Sequence, residues 1–146
     1  MNPEIKKILC PVDFSQATEK VIDYAKLLAG VLNAEIVLLY VSPTMNRYGM
    51  FQVSDGDISN FVSAILDGAK DKMDEFLETK LSGVKASGRV EVGYAAELIV
   101  DAAETEEADM ILMGTHGRKG IDRILFGSVA EKVIKTAKIP VMTIRP

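Results

Sequence analysis

An uninterrupted run of six apolar residues, from Ile36 to Val41, constrains the fold more than any other feature of the sequence. Such a run cannot alternate between core and solvent, so a strand that contains it must be covered on both faces. Strands of this kind are usually parallel. With four other short apolar stretches, the run predicts five strands: Ile5–Val12, Ala34–Val41, Val90–Tyr94, Asp109–Gly114 and Pro140–Ile144.

Apolar residues recur at helical spacing between the predicted strands. The first helix has Ser15 as a suitable N-cap and carries an apolar stripe of Val21, Tyr24, Ala25, Leu28 and Leu32. The second and third predicted helices cover about Ile58–Leu81 and about Ala95–Glu106. The alternation predicts an α/β fold: a parallel sheet with right-handed crossovers and helices on both faces. The connection Ser42–Asp57 is longer than usual, and it is either mobile or a cover for a site.

Composition excludes several classes of protein. The length of 146 residues and the hydrophobic content of 48% predict one compact domain that spans residues 1–146. The chain has 17 Lys and Arg against 21 Asp and Glu, a net charge of −4, no Trp and 6% aromatic residues. Because nucleic-acid binders need positive charge and stacking surfaces, we expect no nucleic-acid partner.

The sequence also bears on the cellular compartment. The longest apolar run is far shorter than the roughly 20 residues of a membrane-spanning helix, so we expect no membrane association. The N-terminal stretch contains Glu4 and lacks the apolar segment of a signal peptide. The single cysteine, Cys10, excludes an intramolecular disulfide and is expected to pack in the core. We therefore expect a cytoplasmic protein.

A glycine-rich segment follows the predicted fourth strand. Glycines stand at positions 114, 117, 120 and 127, and glycine lets backbone amides approach a ligand where a Cβ would collide. The pattern Ser128–Glu131 matches a capping box, which predicts a helix start whose free amides suit an anion. Positive charge on Arg118, Lys119 and Arg123 favours phosphate as that anion. A purely structural loop with solvated basic side chains is the alternative.

Two polar side chains near the predicted strand ends have two interpretations each. Asp13 either forms an Asx turn that prepares the following helix, or offers its carboxylate to a ribose or a metal-bound water. His116, which is the only histidine, is either solvated or in contact with a ligand. The chain has no P-loop sequence and no glycine in the turn after the first strand, which excludes the P-loop and the dinucleotide fingerprint.

The glycine spacing resembles that of a known family. The pattern Gly114-x2-Gly117-x9-Gly127-Ser128 and the opening ILCPVDFS are similar to the nucleotide-binding signature and first strand of the universal stress protein family. The resemblance covers essentially the whole chain. It implies a Rossmann-like sandwich of the adenine nucleotide alpha hydrolase-like type, with a five-stranded parallel sheet in the order 3-2-1-4-5. It also implies the branch of the family that binds ATP.

The resemblance assigns roles to individual residues. It places Pro11, Val12 and Asp13 at the ribose and adenine, and Val41 beside the adenine. Along the path from base to phosphates it places Met113 and Gly114. The phosphates would lie against Gly117, Gly127, Ser128 and Val129, with His116 and Arg118 nearby, and Mg²⁺ or Mn²⁺ would be bound through the phosphates. It implies no catalytic residue.

The resemblance further implies a homodimer. The predicted last strand, with Val141, Met142, Thr143 and Ile144, would leave an open edge that can pair with a second copy across a two-fold axis. The expected function is a dimeric, ATP-dependent regulatory module of the stress response, with an unidentified regulatory partner and at most slow hydrolysis. The alternatives are a weak Mg²⁺-dependent ATPase and a dimeric adapter without nucleotide.

Overall fold

The computed structural model describes residues 2–42, 55–115 and 127–146. Five parallel strands form one sheet in the order β3-β2-β1-β4-β5, which confirms the predicted fold class and strand order. The elements follow one another as β1 (Lys7–Val12), α1 (Gln16–Leu32), β2 (Glu35–Ser42), α2 (Asp55–Thr79), β3 (Ala86–Val92), α3 (Ala95–Thr105), β4 (Met110–Gly114), α4 (Ser128–Thr136) and β5 (Val141–Ile144).

Helices cover the sheet on both faces, and alternate residues of each strand face opposite layers. On β1, Ile8, Cys10 and Val12 pack with α1 and α2, whereas Leu9 packs with α3 and α4. The first layer contributes Val21, Ile22, Ala25, Ala29 and Met73, and the second contributes Ala96, Ile99, Ala102, Ala130 and Val133. Each central strand is therefore buried on both faces, as the apolar run in β2 predicts.

Cys10 lies fully buried on β1, in the layer of α1 and α2. Burial without a charged partner raises the pKa of its thiol to about 12. The thiolate, which is the reactive form, is therefore scarce at neutral pH. The predicted role of this cysteine in core packing is confirmed.

The predicted position of the third strand is wrong. Instead of Val90–Tyr94, the strand covers Ala86–Val92, and Tyr94 is the N-cap of α3. The strand includes Gly88 and Arg89, which carry no apolar signal. Arg89 is accommodated because its guanidinium donates to Glu106 at 3.0 Å and to Glu91 at 2.7 Å. Ion pairs, rather than the burial of apolar side chains, therefore stabilise this part of the edge strand.

Two smaller predictions also need correction. Helix α2 runs over Asp55–Thr79 rather than about Ile58–Leu81. On α1, Tyr24 and Leu32 are exposed, although both belong to the predicted apolar stripe. The buried face of α1 is rotated relative to the predicted stripe, and it includes the polar residue Thr18.

Gly88 should not tolerate a side chain. A Cβ there would overlap Met73 Cγ and lie 2.8 Å from Met73 Sδ, because α2 packs directly on the backbone of β3. We expect Gly88→Ala to reduce the free energy of unfolding by about 1–3 kcal/mol, the usual cost of overpacking. Urea denaturation followed by circular dichroism measures this change.

Gly30→Ala is the matched control. Gly30 lies inside α1, and no atom outside its own helix lies within 4 Å of a Cβ built there. Alanine should stabilise the helix at this position by about 0.5–1 kcal/mol. Equal effects of the two substitutions would contradict the close packing of α2 on β3.

Candidate functional site

The strand order reverses at β1, and the candidate site lies where it does so. The pairing of β1 with β2 begins where Lys7 lies opposite Glu35 and ends where Val12 lies opposite Tyr40. Its pairing with β4 consists of two residue pairs only: Ile8 lies opposite Met110, and Leu9 lies opposite Ile111. The ladder between β1 and β4 therefore stops before the carboxyl ends of the strands. In open α/β sheets, this is the crevice where ligands bind.

Buried polar residues are concentrated at this edge. Within the described ranges, the buried polar residues are Thr18, Ser42 and Thr115, which stand in the first turn of α1, at the end of β2 and after β4. Because burial of a polar group costs free energy unless the group is hydrogen-bonded, their clustering indicates a structured polar edge. The backbone takes part, since the N–H of Gly93 donates to Ser42 O at 2.9 Å.

Asp13 organises the turn between β1 and α1. Its Oδ1 accepts a hydrogen bond from the N–H of Ser15 at 2.9 Å and another from Thr18 Oγ1 at 3.1 Å. The carboxylate thus lies at the N-terminus of α1, where the helix dipole favours negative charge. The interpretation as an Asx turn is confirmed, and the role of Asp13 toward a ribose stays a prediction.

Sequence reasoning missed the contribution of Thr18. Thr18 is 3% exposed and lies one turn before Val21 and Ile22 on the buried face of α1. A polar residue in register with an apolar stripe is the signal that could have revealed it, because such a residue needs a hydrogen-bond partner. The partner, Asp13, comes from the preceding strand end.

Phe14 is held in an unusual backbone conformation beside Asp13. Its φ of 60° lies in the left-handed region, which costs a residue with a bulky side chain about 1–3 kcal/mol. Its ring packs against Tyr40, with centroids 4.9 Å apart, and against Phe76 at 5.5 Å. Lys72 Nζ lies 5.7 Å from the ring centroid. These contacts fix the turn that carries Asp13.

The start of α4 closes the glycine-rich segment. The N–H of Gly127 donates to Thr115 O at 2.6 Å, so the two ends of the segment meet beside β4. Thr115 is itself anchored, because its N–H donates to Ile144 O at 3.0 Å on β5.

The predicted capping box at Ser128 is wrong. The N-cap is Gly127, Ser128 is the first residue of α4, and no side chain in the described part of the chain caps the helix. Glu131, the expected reciprocal partner, pairs with Lys135 at 2.9 Å, and this hydrogen bond lowers the pKa of its carboxyl group. The first helical bond runs from the N–H of Glu131 to Gly127 O. Among the described residues, the amides of Ser128, Val129 and Ala130 therefore meet no backbone acceptor.

The structure brings most of the predicted site residues to this one edge. Those on the strands lie at the carboxyl ends of β1, β2 and β4, and the others begin α4: Pro11, Val12, Asp13, Val41, Met113, Gly114, Gly127, Ser128 and Val129. The side chains of Val12 and Met113 are buried in opposite layers of the core. The predictions for His116, Gly117 and Arg118 lie outside the described residues.

A separate cavity of about 530 Å³ lies at the opposite, amino edge of the sheet. Its walls include Lys6, Glu35 and Lys85. Glu35 pairs with Lys85 and Lys7, each at 3.0 Å, and these hydrogen bonds lower the pKa of its carboxyl group. Lys6 pairs with Glu4 at 2.8 Å. Because these charges are already paired within the chain, the cavity makes a weaker candidate than the carboxyl edge.

Two features are absent from residues 2–42, 55–115 and 127–146, which are the described part of the chain. No group of three or more His, Cys, Asp or Glu side chains in these ranges could hold a metal ion. None of the helices described there is long and apolar enough to cross a membrane.

A parallel sheet whose strand order reverses at β1 and whose crevice carries helix N-termini and buried polar groups defines a doubly wound α/β protein with a candidate ligand site at the carboxyl edge. The chain belongs to the universal stress protein family, whose model matches residues 4–145. This confirms the resemblance noted in the sequence.

Individual relatives span the whole chain. Universal stress protein MJ0531 of Methanocaldococcus jannaschii is 33% identical over 96% of this chain and 82% of its own length. MJ0577 of the same organism is 31% identical over 99% of this chain and 98% of its own. A solved structure of MJ0577 superposes with a TM-score of 0.85 at 31% identity, over 97% of this chain and 96% of that one.

A more distant structure shares the fold. The universal stress protein from Archaeoglobus fulgidus in complex with dAMP is 22% identical and superposes with a TM-score of 0.64. The match covers 97% of this chain and 98% of that one.

Ser15 should be dispensable for stability, although it occupies the N-cap position of α1. Its hydroxyl is buried and meets no hydrogen-bond partner in the described part of the chain. We therefore expect Ser15→Ala to change the free energy of unfolding by less than about 0.5 kcal/mol, against about 1 kcal/mol for an ordinary N-cap. Asp13→Ala, which removes the acceptor of the Ser15 N–H and of the Thr18 hydroxyl, should cost about 1 kcal/mol or more. Thermal denaturation of both variants tests the assignment, and the reverse order would refute it.

Proposed function

We propose that this protein binds ATP in the crevice between β1 and β4 and acts as a dimeric, nucleotide-dependent regulatory module of the stress response. The observation that carries the proposal is a difference between two helix N-termini at this crevice. One of them holds the protein's own carboxylate, and the other is capped by a glycine.

This difference between the two helix N-termini would fix the orientation of a ligand in the crevice. At α1, Asp13 Oδ1 already accepts hydrogen bonds from Ser15 and Thr18. At α4, the amides of Ser128 and Val129 precede the first helical hydrogen bond, and the helix dipole makes such amides attractive to an anion. A ligand with an anionic end and a hydroxyl-bearing end fits in one orientation, with phosphates toward α4 and ribose toward Asp13.

The family relationship supports an adenine nucleotide as this ligand. A protein with the same fold was solved with dAMP and another with cAMP, so the fold can hold such a ligand. The glycine spacing of this chain favours the ATP-binding branch. We infer that the amides of Gly114, Ser128 and Val129 line the path of the phosphates, with Asp13 at the ribose and Val41 near the adenine. Mg²⁺ or Mn²⁺ bound through the phosphates would offset their charge.

We infer that hydrolysis is slow at most. Phosphoryl transfer to water needs a group that orients the attacking water. Asp13 Oδ1 is engaged in the turn before α1, which does not favour this carboxylate for that task. We also infer a single domain over residues 1–146 and a cytoplasmic location, in keeping with one buried thiol.

Analysis of the purified protein distinguishes the alternatives. The protein is denatured, the released small molecules are identified by mass spectrometry, and phosphate release is measured with added ATP and Mg²⁺. Bound ATP with negligible turnover supports the regulatory module. Steady phosphate release favours a weak ATPase, and absence of any nucleotide or of calorimetric heat with ATP favours the adapter.

Ser128→Pro tests the amides directly, because it deletes one amide proton without disturbing the helix. Proline is favoured at the first residue of a helix. Gly127 already has φ −57° and ψ 148°, the conformation that a residue before proline prefers. We expect unchanged stability and an ATP affinity about tenfold lower, as for a lost hydrogen bond to a charged group. Isothermal titration calorimetry measures the affinity.

Ser128→Ala is the control for this experiment. It keeps the amide and removes the exposed hydroxyl, so it measures the contribution of the side chain alone to ATP affinity. If Ser128→Pro folds and binds ATP as tightly as the unaltered protein does, the amide of Ser128 has no part in phosphate binding.

We infer a homodimer through β5, whose described partner in the sheet is β4 on one side only. Met142 on this strand is 37% exposed. On α4, Lys132 points to Glu97 of α3 at 3.4 Å, and Ile134 lies about 200° further round the helix. Ile134, which is 44% exposed, therefore faces away from α3. A second copy paired along Val141–Ile144 would cover such apolar surface.

Met142→Glu should convert the dimer into a monomer. A two-fold axis at β5 would bring the two carboxylates close together and place them against apolar surface, which is unfavourable. Sedimentation equilibrium at micromolar concentration reports the mass of the species. Val92→Glu is the matched control, because Val92 is 41% exposed on β3 at the other edge of the sheet. A monomer for the unaltered protein, or an equal effect of both variants, would exclude dimerisation through β5.

A further inference from the structure

The first turn of α1 contains a buried polar residue, Thr18, that the family resemblance does not assign. Thr18 Oγ1 donates to Asp13 Oδ1 at 3.1 Å, and the N–H of Thr18 donates to Ser15 O at 3.0 Å. Thr18 is 3% exposed, so water does not compete for its hydroxyl. The Asp13 carboxylate is therefore held by a donor inside the protein.

Two donors on one oxygen restrict the carboxylate more than one donor does. With the N–H of Ser15 alone, at 2.9 Å, the carboxylate could still rotate about that hydrogen bond. The Thr18 hydroxyl donates a second hydrogen bond to the same oxygen, from the first turn of the helix. Because α1 is packed on the sheet through Val21 and Ile22, the direction of this second hydrogen bond is fixed relative to β1.

The backbone beside Asp13 is equally fixed. Phe14, at φ 60°, is held between the rings of Tyr40 and Phe76. The turn therefore fixes the position of the Asp13 backbone, and the hydrogen bond from Thr18 fixes the orientation of the Asp13 carboxylate. Recognition of a ribose hydroxyl depends on that orientation, because the strength of a hydrogen bond falls steeply with misalignment.

We propose that Thr18 is a positioning residue for nucleotide recognition: its buried hydroxyl orients the Asp13 carboxylate toward the ribose hydroxyls of the bound nucleotide. The inference rests on the proposed function, since it requires that a nucleotide occupies the crevice. It adds a residue that does not touch the ligand, and it predicts that the effect of this residue depends on the ribose.

Thr18→Val tests the hydroxyl while it keeps the shape of the side chain. The probes are ATP and 2′,3′-dideoxy-ATP, which lacks both ribose hydroxyls, and titration calorimetry gives both affinities. We expect Thr18→Val to weaken ATP binding about tenfold and binding of the dideoxy analogue less than about twofold. Thr18→Ser, which restores the hydroxyl and loses the methyl group, should bind ATP within about twofold of the unaltered protein.

A purely structural role would give a different result. Thr18→Val would then weaken the binding of both nucleotides equally, and Thr18→Ser would bind ATP as weakly as Thr18→Val does. Either result overturns the inference. If Thr18→Val does not fold, Thr18→Ala and Thr18→Ser make the same comparison, since they differ by the hydroxyl alone. ATP bound equally by all variants overturns this inference and leaves the proposed function intact. An unaltered protein that binds no ATP overturns both.

Discussion

The structure depends on the unequal pairing of β1 with its two neighbours. β1 is in register with β2 over its whole length but with β4 only at Ile8 and Leu9. The connections from β1 and from β4 then run in opposite directions along the sheet, and their helices cover opposite faces. As a result, the N-termini of α1 and α4 reach the same crevice from opposite layers, and the site lies between them.

The net charge of −4 makes the local arrangement at this crevice more important. An acidic protein does not attract a polyphosphate at long range, and at physiological ionic strength charges are screened beyond about 8 Å. In the proposed complex, affinity for phosphates would therefore come from donors in direct contact. The amides that begin α4 are such donors, because Gly127 caps the helix without a side chain and Glu131 is turned toward Lys135.

The sequence predicted the features that depend on local pattern. The apolar run in β2 and the interpretation of Asp13 as an Asx turn agree with the structure, and so does the strand order, which the resemblance to the family implied. The sequence misplaced β3 because that strand is defined by distant partners: Met73 fills the space above Gly88, and Glu106 holds Arg89. Thr18 was missed for another reason. Its partner Asp13 is only five residues away, but the left-handed conformation of Phe14, which lies in the turn between them, has no signal in its immediate sequence.

The two sides of the crevice also differ in what supplies the hydrogen-bond partners of their polar groups. At α1, the Asp13 carboxylate, the Thr18 hydroxyl and the rings around Phe14 are fixed by folding itself, so the strain at Phe14 is met by contacts within the chain. At α4, the first amides lack acceptors among the described residues, and a bound phosphate would supply them. In the proposed complex, binding free energy would therefore arise mainly at the α4 end, because those donors would exchange water for an anion. Selectivity for the hydroxyl-bearing end would arise at α1, where the acceptor is already oriented and little ordering remains to oppose binding.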